Sequence, residues 1–108
     1  MAAKQIVITY DNKDYVLEFN RRTVRSMEAS GFKVDTDLPL TMILTLFHGA
    51  FQMHHRKVTQ DFTEKAWDAM RGKDKLLTEL ISMYTEVISS LMNEDEVEED
   101  ENPTWKVV

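Results

Sequence analysis

The longest apolar stretch of the chain, residues 38–55 (LPLTMILTLFHGAFQMHH), predicts a helix around which the rest of the protein packs. At 3.6 residues per turn its apolar side chains cover two neighbouring faces, so other elements must cover it on several sides. The stretch is shorter than the roughly 20 apolar residues that cross a bilayer. We therefore expect a buried core helix. One face carries Ile43, Phe47, Ala50, Phe51 and His54, and the other carries Met42, Leu46, Gly49 and Met53, with Leu40 and Leu44 beside them.

Alternation of apolar and polar positions predicts a β-hairpin at the start of the chain. Residues 5–10 (QIVITY) and 15–19 (YVLEF) alternate and are rich in β-branched and aromatic side chains, which favour strands. Residues 11–14 (DNKD) between them have the composition of a turn. Since an isolated hairpin is marginally stable in water, one face should lie on the helices. The alternative is that its edges pair with another subunit.

Three further helices follow from capping residues and helical periodicity. Asn20 suits the N-cap of a short helix that ends near Gly31, and Thr59 suits the cap of a third helix that ends at Gly72. The fourth helix, residues 74–93, has the strongest periodic signal. The sequence thus predicts an α+β, mainly α fold, with a hairpin followed by about four helices. The periodic apolar positions of the fourth helix are Leu77, Leu80, Ile81, Tyr84, Val87, Ile88 and Leu91.

The net charge of −6 is concentrated after the last predicted helix. Residues 94–101 hold seven carboxylates, and without them and Lys106 the chain has 12 acidic and 12 basic residues. Such a run repels itself and adds little to a core, so we expect residues 1–93 to form one domain and 94–108 a flexible acidic tail. The neutral body has no basic face for nonspecific binding of nucleic acid.

The sequence indicates no catalytic site, cofactor or metal centre. Cysteine is absent, which excludes disulfides and thiolate ligands. His48 and His55 share a helix face but lie two turns apart, which is too far for two ligands of one metal on a straight helix. The serines lie on predicted helices without a nucleophile elbow, and isolated glycines make no phosphate-binding loop. We expect a protein without enzymatic activity.

Four segments resemble the tail assembly chaperones of tailed bacteriophages and prophages, which are small proteins encoded in the tail gene cluster. The segments are 19–22 (FNRR), 24–32 (VRSMEASGF), 47–55 (FHGAFQMHH) and Met83-Tyr84 in a last helix with an acidic end. The resemblance implies a protein that is not part of the virion and keeps the long, apolar, helical tape measure protein soluble. Tail tube subunits would then be recruited around that complex. In many such systems, ribosomal frameshifting near the end of the short product yields a longer one.

The partner-binding surface expected for this role is an apolar groove between the last helix and the central one. Methionine-rich helix faces suit adaptable binding of a partner helix, although most such residues fill cores. Self-association is a further expectation. The first residues lack the apolar run of a signal peptide, so we expect a cytoplasmic protein that contacts neither membrane nor nucleic acid. The residues expected to bind the partner are Trp67, Met83, Val87, Met92 and, in the tail, Trp105.

Two other functions remain open at this level. A structural tail or head–tail connector component would use the hairpin to pair subunits in a ring. A regulator that mimics nucleic acid would use the acidic run, although one short tail on a neutral body imitates regularly spaced phosphates poorly.

Overall fold

The fold consists of an N-terminal antiparallel hairpin followed by four helices, as the sequence predicts. The structure, a computed structural model, describes residues 4–37, 39–92 and 105–107. The acidic run, and the predicted domain boundary at residue 93, lie outside these ranges. The elements are β1 (Ile6–Tyr10), β2 (Lys13–Leu17), α1 (Arg21–Ala29), α2 (Leu40–Phe51), α3 (Gln60–Ala69) and α4 (Lys73–Ser89).

A two-residue turn closes the hairpin. Asp11 and Asn12 have φ angles of 54° and 64°, and two successive left-handed residues are typical of a type I′ turn, whose twist matches that of the strands. The predicted turn of residues 11–14 is therefore too long, because Lys13 and Asp14 already belong to β2. The pairing runs without a bulge from Tyr10 opposite Lys13 to Ile6 opposite Leu17.

The end of α2 covers the outer edge of β2. The backbone N–H of Glu18 donates to the carbonyl of Ala50 at 3.0 Å, and the N–H of Val16 donates to Nε2 of His55 at 3.0 Å. The helix ends at Phe51, four residues earlier than the predicted end at His55. These contacts with β2 draw the chain out of the helix, and the sequence pattern of α2 alone does not reveal them.

The two predicted apolar faces of α2 are buried over most of the helix. Leu46, Phe47 and Phe51 are inaccessible to solvent, and the Phe47 ring packs on Trp67 of α3 with ring centroids 5.0 Å apart. Leu40, the first residue of α2, is 71% exposed. Met53 and His54, which the sequence pattern assigns to the two faces but which follow the last residue of α2, are exposed as well. The central position predicted for this helix is therefore correct between its ends, but not for the residues that follow it.

Helix α4 closes the core over the segment that joins the hairpin to α1. Asn20 caps α1 through a reciprocal pair of hydrogen bonds with Thr23, which fixes the direction in which α1 leaves the hairpin. The ring of Tyr84 in α4 packs edge-on against Phe19 at 5.4 Å and against Phe32 at 5.2 Å. Aromatic contacts thus hold α4 against the two segments that flank α1.

Candidate functional site

The five residues predicted to bind a partner do not form one surface. Trp67 is 9% exposed and Met83 is 2% exposed, so both belong to the core. Val87 is half-buried and packs against that core. Met92 and Trp105, in contrast, are 84% and 86% exposed. Only these last two have the accessibility that a partner needs.

Trp67 and Met83 are therefore buried in the structure and do not line an exposed groove between α2 and α4. Helical periodicity identifies the apolar face of a helix, but it does not show which part of that face the protein itself covers. Here α4 packs directly against α1 and α2. The side chains of Leu80 and Met83 fill the space in which a groove was expected.

Exposed apolar side chains instead cluster where α4 ends. Ile88, Leu91 and Met92 are 39%, 63% and 84% exposed. Ile88 lies in the last turn of α4, which ends at Ser89, four residues before the predicted end at residue 93. Leu91 and Met92 lie in the turn that follows, where the N–H of Leu91 donates to the carbonyl of Ile88 at 3.1 Å. We call these three residues the α4-end patch. Sequence reasoning placed Ile88 and Leu91 on the buried stripe. Ile88 and Leu91 lie in the last turns of the last predicted helix. This position is the sequence signal that they are less covered than the rest of the apolar stripe.

Arg21 fixes the position of the α4-end patch relative to the body. Its guanidinium donates to the carbonyl of Ser90 at 2.9 Å and to the hydroxyl of Ser90 at 3.2 and 3.3 Å. The last carbonyls of a helix lack partners within the helix and carry partial negative charge, so a cation there is favourable. Helix α4 has no basic residue in its own last turn, and α1 supplies the cation instead. The patch is consequently presented by an anchored helix end.

His48 belongs to a satisfied hydrogen-bond network between α2 and α3. The hydroxyl of Thr63 donates to the Gln60 carbonyl at 3.1 Å, so it accepts from Nδ1–H of His48 at 3.0 Å. Nε2 of His48 then accepts from the Gln52 amide at 3.1 Å. Burial lowers the pKa of His48, which agrees with the neutral ring that this network requires. The network is structural, since both ring nitrogens are occupied by protein groups.

Glu18 is a buried carboxylate held by two side chains. Its Oε1 accepts from His54 Nε2 at 2.8 Å and from the Gln5 amide at 2.8 Å. Burial acts to raise the pKa of Glu18, but the hydrogen bonds from His54 and Gln5 outweigh it and hold the pKa below its usual value. With its charge and two hydrogen bonds at Oε1, this carboxylate stabilises the contact of β2 with the end of α2.

The described residues contain no group of three histidine or acidic side chains arranged to bind a metal ion. Within the same ranges, no helix is both long enough and apolar enough to cross a membrane.

The fold and its exposed residues define a class: a small hairpin-and-four-helix protein with an apolar helix end open to solvent. The chain belongs to the family described as domain of unknown function (DUF5055), whose model matches residues 1–108. No curated protein and no solved structure is significantly similar to the chain.

Proposed function

We propose that this protein is a non-enzymatic phage tail assembly chaperone that binds apolar helical segments of the tape measure protein through the α4-end patch. The observation that carries the proposal is the exposure of Ile88, Leu91 and Met92 together on one anchored helix end. Neighbouring exposed apolar side chains mark interaction sites more often than apolar side chains that are exposed singly.

The shape of the patch suits a helical ligand. Apolar side chains clustered at a helix end can pack against the apolar stripe of a second helix, with its residues entering at intervals of three and four. Methionine has a flexible, polarizable side chain, so Met92 can adapt to successive ligand segments. These properties fit a partner that is long, helical and variable in sequence along its length.

The resemblance to tail assembly chaperones suggests that this partner is the tape measure protein. The negative charge of the C-terminal residues gives a reason why the complex would stay in solution. Seven carboxylates follow the patch within residues 94–101. A strongly charged segment beside a bound apolar polypeptide opposes aggregation of the complex through mutual repulsion. We infer a cytoplasmic complex in the bacterial host, which tail tube subunits subsequently join.

Co-expression with the tape measure protein encoded nearby tests the proposal. We expect the tape measure protein, insoluble alone, to become soluble and to co-purify with the tagged chain. The variants Leu91→Lys and Met92→Lys should reduce the recovered complex by about tenfold or more, because each buries a charge in the proposed contact.

Leu40→Lys is the matched control. Leu40 is as exposed as the patch residues, at 71%, but lies at the start of α2. The proposal fails if the tape measure protein stays insoluble, or if Leu40→Lys weakens co-purification as much as Leu91→Lys does. Circular dichroism of each variant establishes that the fold is retained.

Purified phage particles test the alternative of a structural tail or head–tail connector component. A chaperone should be absent from them, whereas a connector should be present in fixed stoichiometry. Detection of the protein in particles would overturn the chaperone assignment.

A further inference from the structure

Strand β1 has an outer edge whose backbone groups point away from the hairpin. In an antiparallel pair closed by a two-residue turn, alternate residues direct their N–H and C=O groups toward the partner strand. The backbone groups of Ile6, Ile8 and Tyr10 point toward β2. The backbone N–H and C=O groups of Val7 and Thr9 therefore point outward, away from the hairpin. Within residues 4–37, 39–92 and 105–107, neither Val7 nor Thr9 has a backbone hydrogen bond to any element outside the hairpin.

The opposite edge of the same hairpin is covered. By the same alternation, Val16 in β2 and Glu18 just after it direct their N–H groups outward. The N–H of Val16 donates to His55, and the N–H of Glu18 donates to the carbonyl of Ala50. The residues that the structure describes thus close one edge of the two-stranded sheet and leave the other edge open.

Nothing along β1 protects it from pairing. Exposed strand edges in monomeric proteins commonly carry a charge, a proline or a bulge that prevents pairing with another chain. The residues of β1 (IVITY) include no charge and no proline, and their register contains no bulge. Val7 is 59% exposed. The strand is suited to accept a further strand.

We propose that two copies of this protein form a two-fold dimer in which β1 pairs antiparallel with β1 of the second copy. Only one antiparallel register overlaps all five residues of β1 with themselves, and its centre is Ile8. That register sets Val7 opposite Thr9 of the second copy, so the outward N–H and C=O groups meet as hydrogen-bonded pairs. The product is a continuous four-stranded sheet, which is far more stable than an isolated hairpin.

Charge at the ends of the strand agrees with this register. The uncharged strand is preceded by Lys4, which also forms an ion pair with Glu79 of α4 in the same chain, and followed by Asp11. Antiparallel self-pairing brings Lys4 of one copy close to Asp11 of the other at both ends of the interface. Opposite charges at the two ends favour the pair modestly and disfavour a parallel arrangement, which would place like charges together.

The covered edge of β2 argues for a closed dimer. A ring or filament needs two different surfaces that fit each other, whereas a two-fold contact uses one surface twice. Pairing of β1 with β2 of another copy would require the bonds to His55 and Ala50 to break. The only sheet edge open within the described residues is β1, so pairing stops at two copies.

Measurement of molar mass over a wide concentration range tests the proposal, by light scattering after gel filtration. We expect the full-length chain to form a dimer. Val7→Lys should raise its dissociation constant by about tenfold or more, because it puts like charges on both sides of the interface. Thr9→Lys is a second variant with the same expectation. Asp11→Asn keeps a residue suited to the turn, and should weaken the dimer about two- to fivefold in low salt only.

Two control variants make the outcome decisive. Leu40→Lys and Leu91→Lys add the same charge at exposed apolar positions away from β1, and both should remain dimeric. A wild-type chain that is monomeric at every concentration would overturn the proposal. A dimer that persists in both Val7→Lys and Thr9→Lys would also overturn it. The same holds if Leu91→Lys dissociates the dimer and Val7→Lys does not. Since co-purification depends on Leu91 and dimerisation on Val7, failure of one proposal leaves the other standing.

Discussion

Gly49 allows α1 and α2 to approach closely. A Cβ atom placed on Gly49 would lie 2.6 Å from both Sδ and Cε of Met27, which is far inside van der Waals contact. Met27 is half-buried, and Sδ and Cε are the far end of its flexible side chain, so that end can move aside at a modest cost. A small residue in the central helix is therefore matched to a flexible one on its neighbour.

We expect Gly49→Ala to change the free energy of unfolding by less than about 0.5 kcal/mol, since the cost of displacing the end of the Met27 side chain offsets the gain in helix propensity. In a Met27→Ala background the overlap is gone, and the same change should raise stability by about 1 kcal/mol. Chemical denaturation of the four proteins of this double-mutant cycle measures both values. Equal effects in the two backgrounds would show that Met27 does not restrict position 49.

The hydroxyl of Tyr84 is buried, and it has no hydrogen-bond partner within the described residues. Tyr84→Phe should therefore leave stability unchanged or raise it by up to about 1 kcal/mol, because it removes a desolvated polar group and keeps the ring. Thr63→Val is the matched control: it removes a buried hydroxyl that bonds to His48 and Gln60, and should cost about 1–3 kcal/mol. A larger loss for Tyr84→Phe than for Thr63→Val would contradict this account.

Glu18 makes stability depend on pH in a defined direction. Its pKa in the folded protein lies below the ordinary value of 4.5, so the unfolded chain binds the proton more tightly. The stabilisation by Glu18 is complete above that ordinary value and is lost as pH falls through the lower folded pKa. Thermal unfolding of Glu18→Gln should accordingly vary less with pH in the acidic range than that of the wild type. Parallel curves for the two proteins would exclude this role.

At the residue scale, the sequence predicts hydrogen bonds between near neighbours in the chain, but not those between residues far apart in it. Asn20 and Thr59 were predicted as caps from their own neighbourhoods, and both accept the expected backbone hydrogen bonds. The hydrogen bonds from the Val16 N–H to His55 and from His54 to Glu18 join residues far apart in the chain. The periodicity of a single helix does not indicate such pairs. The sequence pattern therefore assigns the histidines to a helix end and does not predict their contacts with the hairpin.

At the scale of elements, α2 carries the core. Phe47 is inaccessible to solvent and contacts the rings of Phe51 and Trp67. We expect Phe47→Ala to destabilise the protein by about 3–5 kcal/mol, as the loss of a buried ring leaves a cavity. Leu40→Ala, at the exposed first residue of the same helix, should cost less than about 0.5 kcal/mol. Denaturant titration measures the stability of both variants. A loss below about 1 kcal/mol for Phe47→Ala would contradict the central position of α2 in the core.

Element types and order were predictable because each element has its own period and its own end signals. The binding residues were predicted less well for a physical reason. The apolar stripe of α4 is continuous along the helix, but α1 and α2 cover only part of it. Met83 and Met92 look alike in the sequence, and only the packing of the other helices buries the first and exposes the second.

For the whole molecule, the body should be stable without the residues after Met92. Trp105 and Val107 are 86% and 87% exposed, so they contribute little to the core. We expect deletion of residues 93–108 to leave helicity unchanged and to shift the melting temperature by less than about 4 °C, which corresponds to about 1 kcal/mol for a domain of this size. A larger fall, measured by circular dichroism, would show that this segment docks on the body.

The bond between Arg21 and Ser90 joins residues 69 positions apart, and it has a consequence for synthesis of the chain. The hairpin and α1 leave the ribosome before α4, the helix that covers Phe19 and Phe32. A nascent chain that stops before Lys73 therefore holds its aromatic side chains in water, without the ring of Tyr84 to close over them. Folding of such a chain is completed late, and its early segments are exposed to proteases and aggregation until α4 emerges.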